Sequence, residues 1–156
     1  MNFLRTKPAI ATFIVFALMA VNTAAIYAIF EPTSELLTVS FLDVGQGDAI
    51  LIESPEGVQL LIDGGRDRAV VRELPRVMSP LDRSIDMVLA THPDADHIGG
   101  LPDVLSRYRV SYYLMPGIEN GTSQAQRLEQ AVEEERGVVS LIARRGMRIH
   151  LGTSTY

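Results

Sequence analysis

The chain has 156 residues, of which 47% are hydrophobic and 21% charged, and its formal net charge at pH 7 is −5. This composition excludes a disordered chain and allows one domain with its own hydrophobic core. The chain has no cysteine, which excludes disulfides and thiolate metal sites. Any metal must therefore be held by His, Asp or Glu side chains.

The N-terminal segment from Pro8 to Phe30 carries no charged residue, and it is long enough to cross a bilayer as a helix. Arg5 and Lys7 precede it, whereas acidic residues follow it. By the positive-inside rule, this pattern predicts a single-pass protein of a bacterial-type cell membrane, with residues 1–7 in the cytoplasm, an anchor at residues 8–30 and the remainder outside.

A cleaved signal peptide is the alternative for the same segment. Small residues at positions 23–25 suit a cleavage site after the apolar stretch. We favour the anchor because the apolar run continues past Ala25 to Phe30. Both interpretations place the rest of the chain outside the cytoplasm, the second as a secreted protein.

Beyond a short polar linker at residues 31–36, one domain is expected over residues 37–156. Six segments have the apolar alternation or composition of strands: residues 37–43, 49–52, 58–62, 85–90, 110–115 and 138–143. Three segments have helical spacing: residues 66–78, 99–108 and 124–136. We expect Pro75 to bend or end the first helix. A β-rich start followed by alternating strands and helices predicts an α/β (α+β) fold with helices packed on a mixed sheet.

The part of the chain beyond residue 30 is acidic. It holds 12 basic residues against 19 acidic ones, a formal charge of −7. Proteins that bind nucleic acid mainly through its phosphates are usually basic, so we expect no strong nucleic-acid-binding surface. A metal site that acts locally on a phosphate remains compatible with this charge.

One short loop holds the residues best suited to metal chemistry: His92, Asp94, Asp96 and His97. The loop follows an apolar strand and precedes a helix. If it is extended, His92 and Asp94 project to the same side and can share one ion, while the adjacent Asp96 and His97 can turn toward another. A solvated polar turn is the alternative, because Asp and His are common in loops.

The surrounding sequence resembles a known family. Residues 90–101 (ATHPDADHIGGL) resemble the signature loop of the metallo-β-lactamase superfamily. Residues 41–49 (FLDVGQGDA) and 61–65 (LIDGG) resemble the opening of its ComEC-type branch, the extracytoplasmic hydrolase domain of bacterial DNA-uptake (competence) proteins. The resemblance implies the N-terminal half of an αββα sandwich that carries a dinuclear metal site.

Residue by residue, the resemblance implies that His92 and Asp94 bind one metal and that Asp96 and His97 bind the second. Asp96 is also the expected catalytic residue, because it would orient the attacking water. Asp94 departs from the commoner pattern, which has histidine there, and makes the site richer in oxygen. Zinc is the favoured ion, with manganese or magnesium as alternatives.

Four further residues are weaker candidates near the same end of the sheet. Asp63 can hydrogen-bond to a ligand imidazole and fix its tautomer, although its Asp-Gly-Gly sequence can also be a simple turn. Asp43, Gln46 and Asp48 lie on a glycine-containing loop, where a substrate or a ligand can be contacted. The third histidine, His150, is interpreted as structural or exposed, because nothing chelating surrounds it in the sequence.

The resemblance implies a membrane-tethered extracytoplasmic hydrolase that uses two divalent ions to activate water. A phosphodiester such as extracellular DNA is the first expected substrate, and another ester, amide or lactam is the second, since the fold hosts many chemistries. An incomplete fragment or interaction module is the alternative that is not an enzyme.

The family's later ligand segments, which supply further histidines and a bridging aspartate, do not follow in residues 106–156. The chain is also shorter than a full sandwich domain of this family. We therefore expect the domain to be incomplete at its C-terminus and inactive as this chain alone.

Overall fold

The computed structural model of the chain describes residues 6–29, 36–118 and 121–152. It has two compact units, Met1–Thr33 and Ser34–Tyr156. The predicted cytoplasmic residues 1–5, Phe30 and linker residues 31–35 lie outside the described residues.

Helix α1 (Thr6–Ile29) is the described part of the first unit, and it coincides with most of the predicted anchor. The side chains of residues 9–26 are exposed, and they form an apolar stretch long enough to cross a membrane. An exposed helix of this composition is unusual for a water-facing surface. The direction in which α1 crosses a membrane stays a prediction.

The second unit is built on a six-stranded mixed sheet, as the sequence predicts. Its strands are β1 (Thr38–Phe41), β2 (Ile50–Glu53), β3 (Gln59–Ile62), β4 (Ser84–Leu89), β5 (Arg109–Met115) and β6 (Val139–Ile142). They follow one another across the sheet in chain order. The pairs β1–β2 and β2–β3 are antiparallel, whereas β3 to β6 are parallel to one another.

Helices connect the parallel strands. They are α2 (Ala69–Val77), α3 (Ala95–Ile98), α4 (Leu101–Arg107) and α5 (Ser123–Glu134). Helices α2, α4 and α5 match the three predicted segments, whereas the short α3 lies inside the loop that was expected to be extended. Since right-handed crossovers that advance in one direction place their helices on one side, the helices cover a single face of the sheet.

Local sequence explains where two of these helices begin and end. The Thr122 hydroxyl caps α5 by accepting a hydrogen bond from the Ala125 N–H at 3.3 Å. Pro75 does not end α2, which continues to Val77. The proline lies in the last turn, and the Met78 N–H closes the helix on the Leu74 carbonyl at 2.9 Å.

The two faces of the sheet differ in burial. On the face covered by the helices, the cross-strand neighbours Leu51, Leu61 and Val88 are at most 2% exposed and belong to the main core cluster. On the opposite face, Val39 and Tyr112 are 45% and 43% exposed. The core therefore lies between the sheet and its helices, and it holds the strand ends in fixed positions.

Beyond β6, the described residues from Met147 onward form no strand. Among these residues only Leu151 makes a single bridge, and Leu151 is buried. His150 is exposed, in agreement with its interpretation.

Candidate metal centre

The adjacent parallel strands β3 and β4 place two loops side by side at their carboxyl ends. Asp63 follows β3 and Thr91 follows β4, and the Asp63 N–H bonds to the Leu89 carbonyl at 2.8 Å. In open α/β sheets this edge is where ligands bind. The predicted site residues therefore gather at the end of the sheet that is suited to them.

Asp63 is the buried centre of this edge. Its side chain is 3% exposed, and its backbone has a positive φ of 58°, which is uncommon for a residue other than glycine. Oδ1 accepts the Thr91 N–H at 2.8 Å, and Oδ2 lies 2.6 Å from Thr91 Oγ1 and 2.8 Å from His97 Nδ1. These three contacts compensate for the burial of a carboxylate and for its strained backbone.

The predicted metal loop, residues 92–97, is extended only as far as Asp94. From Ala95 it turns into helix α3, because the Asp94 carbonyl accepts the N–H groups of both His97 and Ile98 at 3.0 Å. The expectation of an extended loop is therefore wrong from Ala95 onward. The helical turn brings the His97 ring inward, where its side chain is 14% exposed, against 41% for His92.

All four predicted ligands nevertheless lie together. His92 Nε2 is 3.6 Å from Asp94 Oδ2, and His97 Nε2 is 3.9 Å from Asp96 Oδ2. The two imidazole centroids are 3.8 Å apart. These contacts group the four side chains into one His–Asp pair and one Asp–His pair.

The chemistry of these donors fits divalent ions. The distances from the imidazole nitrogens to the carboxylate oxygens are too long for hydrogen bonds. Each imidazole has its Nδ1 within 2.8 Å of a polar partner, so its Nε2 faces the carboxylate. Two ligand atoms that share one ion, each about 2.0–2.2 Å from it, lie up to roughly 4 Å apart. Whether the four residues bind ions stays a prediction, with which these spacings agree.

Asp63, His92 and His97 also form a cluster in which one ligand atom from each lies within 4.8 Å of the others. We interpret Asp63 as an orienting group and not as a ligand, because its oxygens already accept hydrogen bonds from Thr91 and His97. Such carboxylate–imidazole contacts commonly orient metal-binding histidines.

Backbone contacts lock three loops together around the site. The N–H groups of Gly64 and Gly65 bond to the carbonyls of His97 and Asp48 at 2.7 and 2.8 Å. A Cβ added to Gly47, whose φ is +87°, would lie 1.6 Å from the Asp96 carbonyl oxygen. Glycine at position 47 therefore lets its loop pack directly on α3.

The three weaker candidates on that loop have different surroundings. Asp48 Oδ2 lies 4.0 Å from His97 Nδ1, and the Gln46 amide oxygen accepts a hydrogen bond from Arg66 at 3.2 Å. Asp43 is exposed, and its side chain makes no hydrogen bond or ion pair within the described part of the chain. Asp48 therefore lies near a predicted ligand, His97.

A cavity of about 440 Å³ lies beside the metal loop and is lined mainly by apolar side chains, including Pro93, Ile98 and Met115. Tyr113 and Glu129 also line it. Burial disfavours the Tyr113 phenolate, and the negative charges of Glu129 and Asp63 disfavour it further, which raises the pKa of Tyr113 from 10.0 to about 12. Tyr113 is therefore a neutral hydroxyl at physiological pH.

Three residues of the site were not identified from the sequence: Thr91, Arg66 and Gly47. Thr91 directly precedes His92. The signal available in the sequence for Thr91 was its position at the end of an apolar strand, beside the loop that carries Asp63. The contact of Gly47 with Asp96 joins loops about fifty residues apart in the chain, which spacing alone does not indicate.

Comparison with known proteins gives consistent results. Residues 42–145 match the family model described as the metallo-beta-lactamase superfamily. The anti-Pycsar protein Apyc1 of Bacillus phage 010DV004 is 41% identical over 76 residues, which are 43% of this chain and 28% of the phage protein.

Two solved structures share the fold. A metallo-beta-lactamase motif mutant from Cronobacter sakazakii has a TM-score of 0.52 at 17% identity and aligns over 73% of this chain and 47% of its own. Metallo-beta-lactamase SMB-1, bound to 2-mercaptoethanesulfonate, has a TM-score of 0.51 at 18% identity, with the same coverage. The chain thus spans less than half the length of each of these proteins.

Proposed function

Since the chain belongs to the metallo-beta-lactamase superfamily, we propose that it contributes the first ligand loop of a metal-dependent hydrolase that acts on a phosphodiester. The observation that carries this proposal is the pairing of two imidazole nitrogens with two carboxylates at 3.6 and 3.9 Å. A solvated polar turn does not require its His and Asp side chains to lie together around one buried carboxylate.

In this proposal His92 and Asp94 hold one divalent ion, and Asp96 and His97 hold the second. When bound, such ions lower the pKa of water and stabilise negative charge that develops on the substrate. Asp96 has the catalytic role because its side chain is 45% exposed, next to the partly buried His97, and a carboxylate there can accept a proton from an attacking water.

Zinc is the proposed ion, and manganese or magnesium is the alternative. The loop offers two imidazoles, which suit zinc, and two carboxylates, which harder ions prefer. Since Asp94 replaces the histidine of the commoner pattern, the first ion has one nitrogen donor and one oxygen donor from this loop. Comparison of affinities for zinc and manganese will decide between them.

The phosphodiester substrate is supported by the resemblance to the ComEC-type branch, and we propose that branch for this chain. Arg66, an exposed cation that follows the Asp-Gly-Gly turn, donates to Gln46 on the loop that packs against α3 and adds a positive group to this end of the sheet. The formal charge of −7 beyond residue 30 favours a small or locally held phosphodiester over extended binding to a nucleic acid.

The proposed location is the outer face of a membrane, with α1 as the tether. Its support is the length and apolar character of the helix. A protein released after cleavage in that segment is the alternative, and mass measurement of the native N-terminus separates the two.

A second candidate function is hydrolysis of an ester, amide or lactam that carries an apolar group. The apolar cavity next to Pro93 favours it, because a substrate with its reacting bond near His92 can place a neighbouring group there. Glu129 and Glu133 also line the cavity and disfavour an anionic group in it.

The test uses the full-length native protein. We expect it to retain close to two zinc or manganese ions per chain after equilibrium dialysis, and to hydrolyse bis(p-nitrophenyl) phosphate only in the metal-loaded state. Asp96→Asn should lower that rate at least about 100-fold. Glu134→Gln, which removes an exposed charge on α5, should leave it unchanged.

Other outcomes are also informative. Hydrolysis of p-nitrophenyl esters or a chromogenic lactam, without hydrolysis of the diester, would replace the first substrate class with the second. Retention of less than one ion per chain would reject the hydrolase proposal and leave an interaction module.

A further inference from the structure

The side chain of Thr91 lies between Asp63 and His92. Thr91 Oγ1 is 2.6 Å from Asp63 Oδ2 and 2.8 Å from His92 Nδ1. The Thr91 N–H is bonded to the other oxygen of the same carboxylate at 2.8 Å. The residue is thus held by its backbone and by its side chain, and its hydroxyl has neighbours on both sides.

The directions of these hydrogen bonds follow from what each group can donate. A carboxylate has no hydrogen to give, so the Thr91 hydroxyl donates to Asp63. The same oxygen then has only lone pairs to offer His92, which makes His92 Nδ1 the donor. In a neutral imidazole with hydrogen on Nδ1, Nε2 is unprotonated and has a free lone pair.

The His97 imidazole takes the same tautomer through a direct hydrogen bond to Asp63. His97 Nδ1 lies 2.8 Å from Asp63 Oδ2 and donates to it directly. His97 Nδ1 therefore contacts the buried Asp63 carboxylate directly, and His92 Nδ1 contacts the Thr91 hydroxyl that donates to it, while each Nε2 faces a more exposed carboxylate, that of Asp94 or Asp96. The single charge of Asp63 sets the tautomers of both rings.

We propose that Thr91 is a positioning residue. Its hydroxyl donates to the Asp63 carboxylate and accepts from His92 Nδ1, and this relay fixes the tautomer that leaves His92 Nε2 free for a metal ion. The relay itself is a property of the chain without metal, whereas its use in metal binding rests on the proposed function. Loss of such orienting contacts typically lowers metal affinity 10- to 100-fold.

The test compares Thr91→Val, which keeps the branched shape without the hydroxyl, with Thr91→Ser, which keeps the hydroxyl. Imidazole ¹⁵N spectra of the metal-free full-length protein report the tautomer of each neutral histidine. We expect the hydrogen of His92 to be on Nδ1 in the native protein and in Thr91→Ser, and to shift toward Nε2 in Thr91→Val.

His97 provides an internal control, because its direct bond to Asp63 does not involve the hydroxyl. Its tautomer should stay the same in all three proteins, which also verifies that Thr91→Val is folded around the site. Zinc affinity should fall about 10- to 100-fold in Thr91→Val and stay within about threefold of native in Thr91→Ser.

A His92 ring with its hydrogen on Nε2 in the native protein, or an unchanged tautomer in Thr91→Val, would overturn the proposal. Failure of the native protein to bind zinc or manganese would instead refute the proposed function. The ¹⁵N comparison would still decide the role of Thr91, so the two failures are distinguishable.

Discussion

The inner and outer parts of the candidate metal centre are built differently. The inner part consists of Asp63, Thr91 and His97, which are joined by hydrogen bonds of 2.6 to 2.8 Å. The outer part consists of Asp94 and Asp96, whose side chains are 66% and 45% exposed and lie 3.6 to 3.9 Å from the imidazoles.

This difference separates what the fold does from what an ion would do. The inner contacts give a hydrogen-bond partner to both Asp63 carboxylate oxygens, the Thr91 hydroxyl and His97 Nδ1 without an ion, so the packing of β3, β4 and α3 is enough to orient the rings. The outer carboxylates have like charges and no short contact with the rings, so a cation between each carboxylate and its imidazole would stabilise the arrangement. The inner part thus orients the imidazoles, and the outer part provides the negative charge that attracts a cation.

The largest expected effect comes from the residue that belongs to both sets of contacts. His97→Ala removes a proposed ligand and a partner of Asp63, and it should lower metal affinity of the full-length protein by at least about 100-fold. His150→Ala, which changes an exposed histidine outside the centre, should leave the affinity unchanged. Titration against a chromogenic chelator measures both, and equal losses would overturn the ligand assignment.

The second prediction tests whether the geometry of the inner part depends on the loop that contains Gly45 and Gly47. Gly45 and Gly47 have positive φ angles of 77° and 87°, so alanine costs about 1 kcal/mol of backbone strain at either position. A Cβ at position 45 meets open space within the described part of the chain, whereas one at position 47 overlaps the Asp96 carbonyl.

Gly45→Ala should therefore reduce the free energy of unfolding by about 1 kcal/mol and leave metal affinity intact. Gly47→Ala should cost about 3 kcal/mol and lower the affinity about tenfold, because α3 or the loop has to move. Chemical denaturation and metal titration give the two quantities. Parallel behaviour of the two variants would show that packing of the loop on α3 does not position the ligands.

The same contrast explains how much the sequence predicted. The four proposed ligands lie within six residues, so their proximity follows from local sequence, and the six strands follow from apolar alternation or apolar composition. The bend at Ala95 was missed because it depends on the Asp94 carbonyl accepting two N–H groups. The contact between Asp63 and His97 joins residues 34 apart, and it was predicted only as one of two alternatives because it requires β3 and β4 to be neighbours.

The smallest expected effect is electrostatic. It concerns the action of the Asp63 charge on Tyr113, outside the predicted ligands. The pKa of Tyr113 is raised by burial, Glu129 and Asp63, and the exposed outer carboxylates are not among its causes. Below pH 10 the tyrosine is protonated in both the folded and the unfolded chain. Between about pH 10 and 12 the unfolded chain loses this proton first, so the stability that the raised pKa represents is lost as the pH rises.

Tyr113→Phe removes this titration, and the alkaline decline in the free energy of unfolding should become shallower by up to about 2 kcal/mol. Tyr112→Phe, on the exposed face of the same strand, should retain the native decline. Urea denaturation at intervals from pH 8 to about 12 measures the slopes. Identical slopes for the two variants would mean that neither the buried environment nor the Asp63 charge acts on Tyr113, and that the inner carboxylate is screened from the neighbouring cavity.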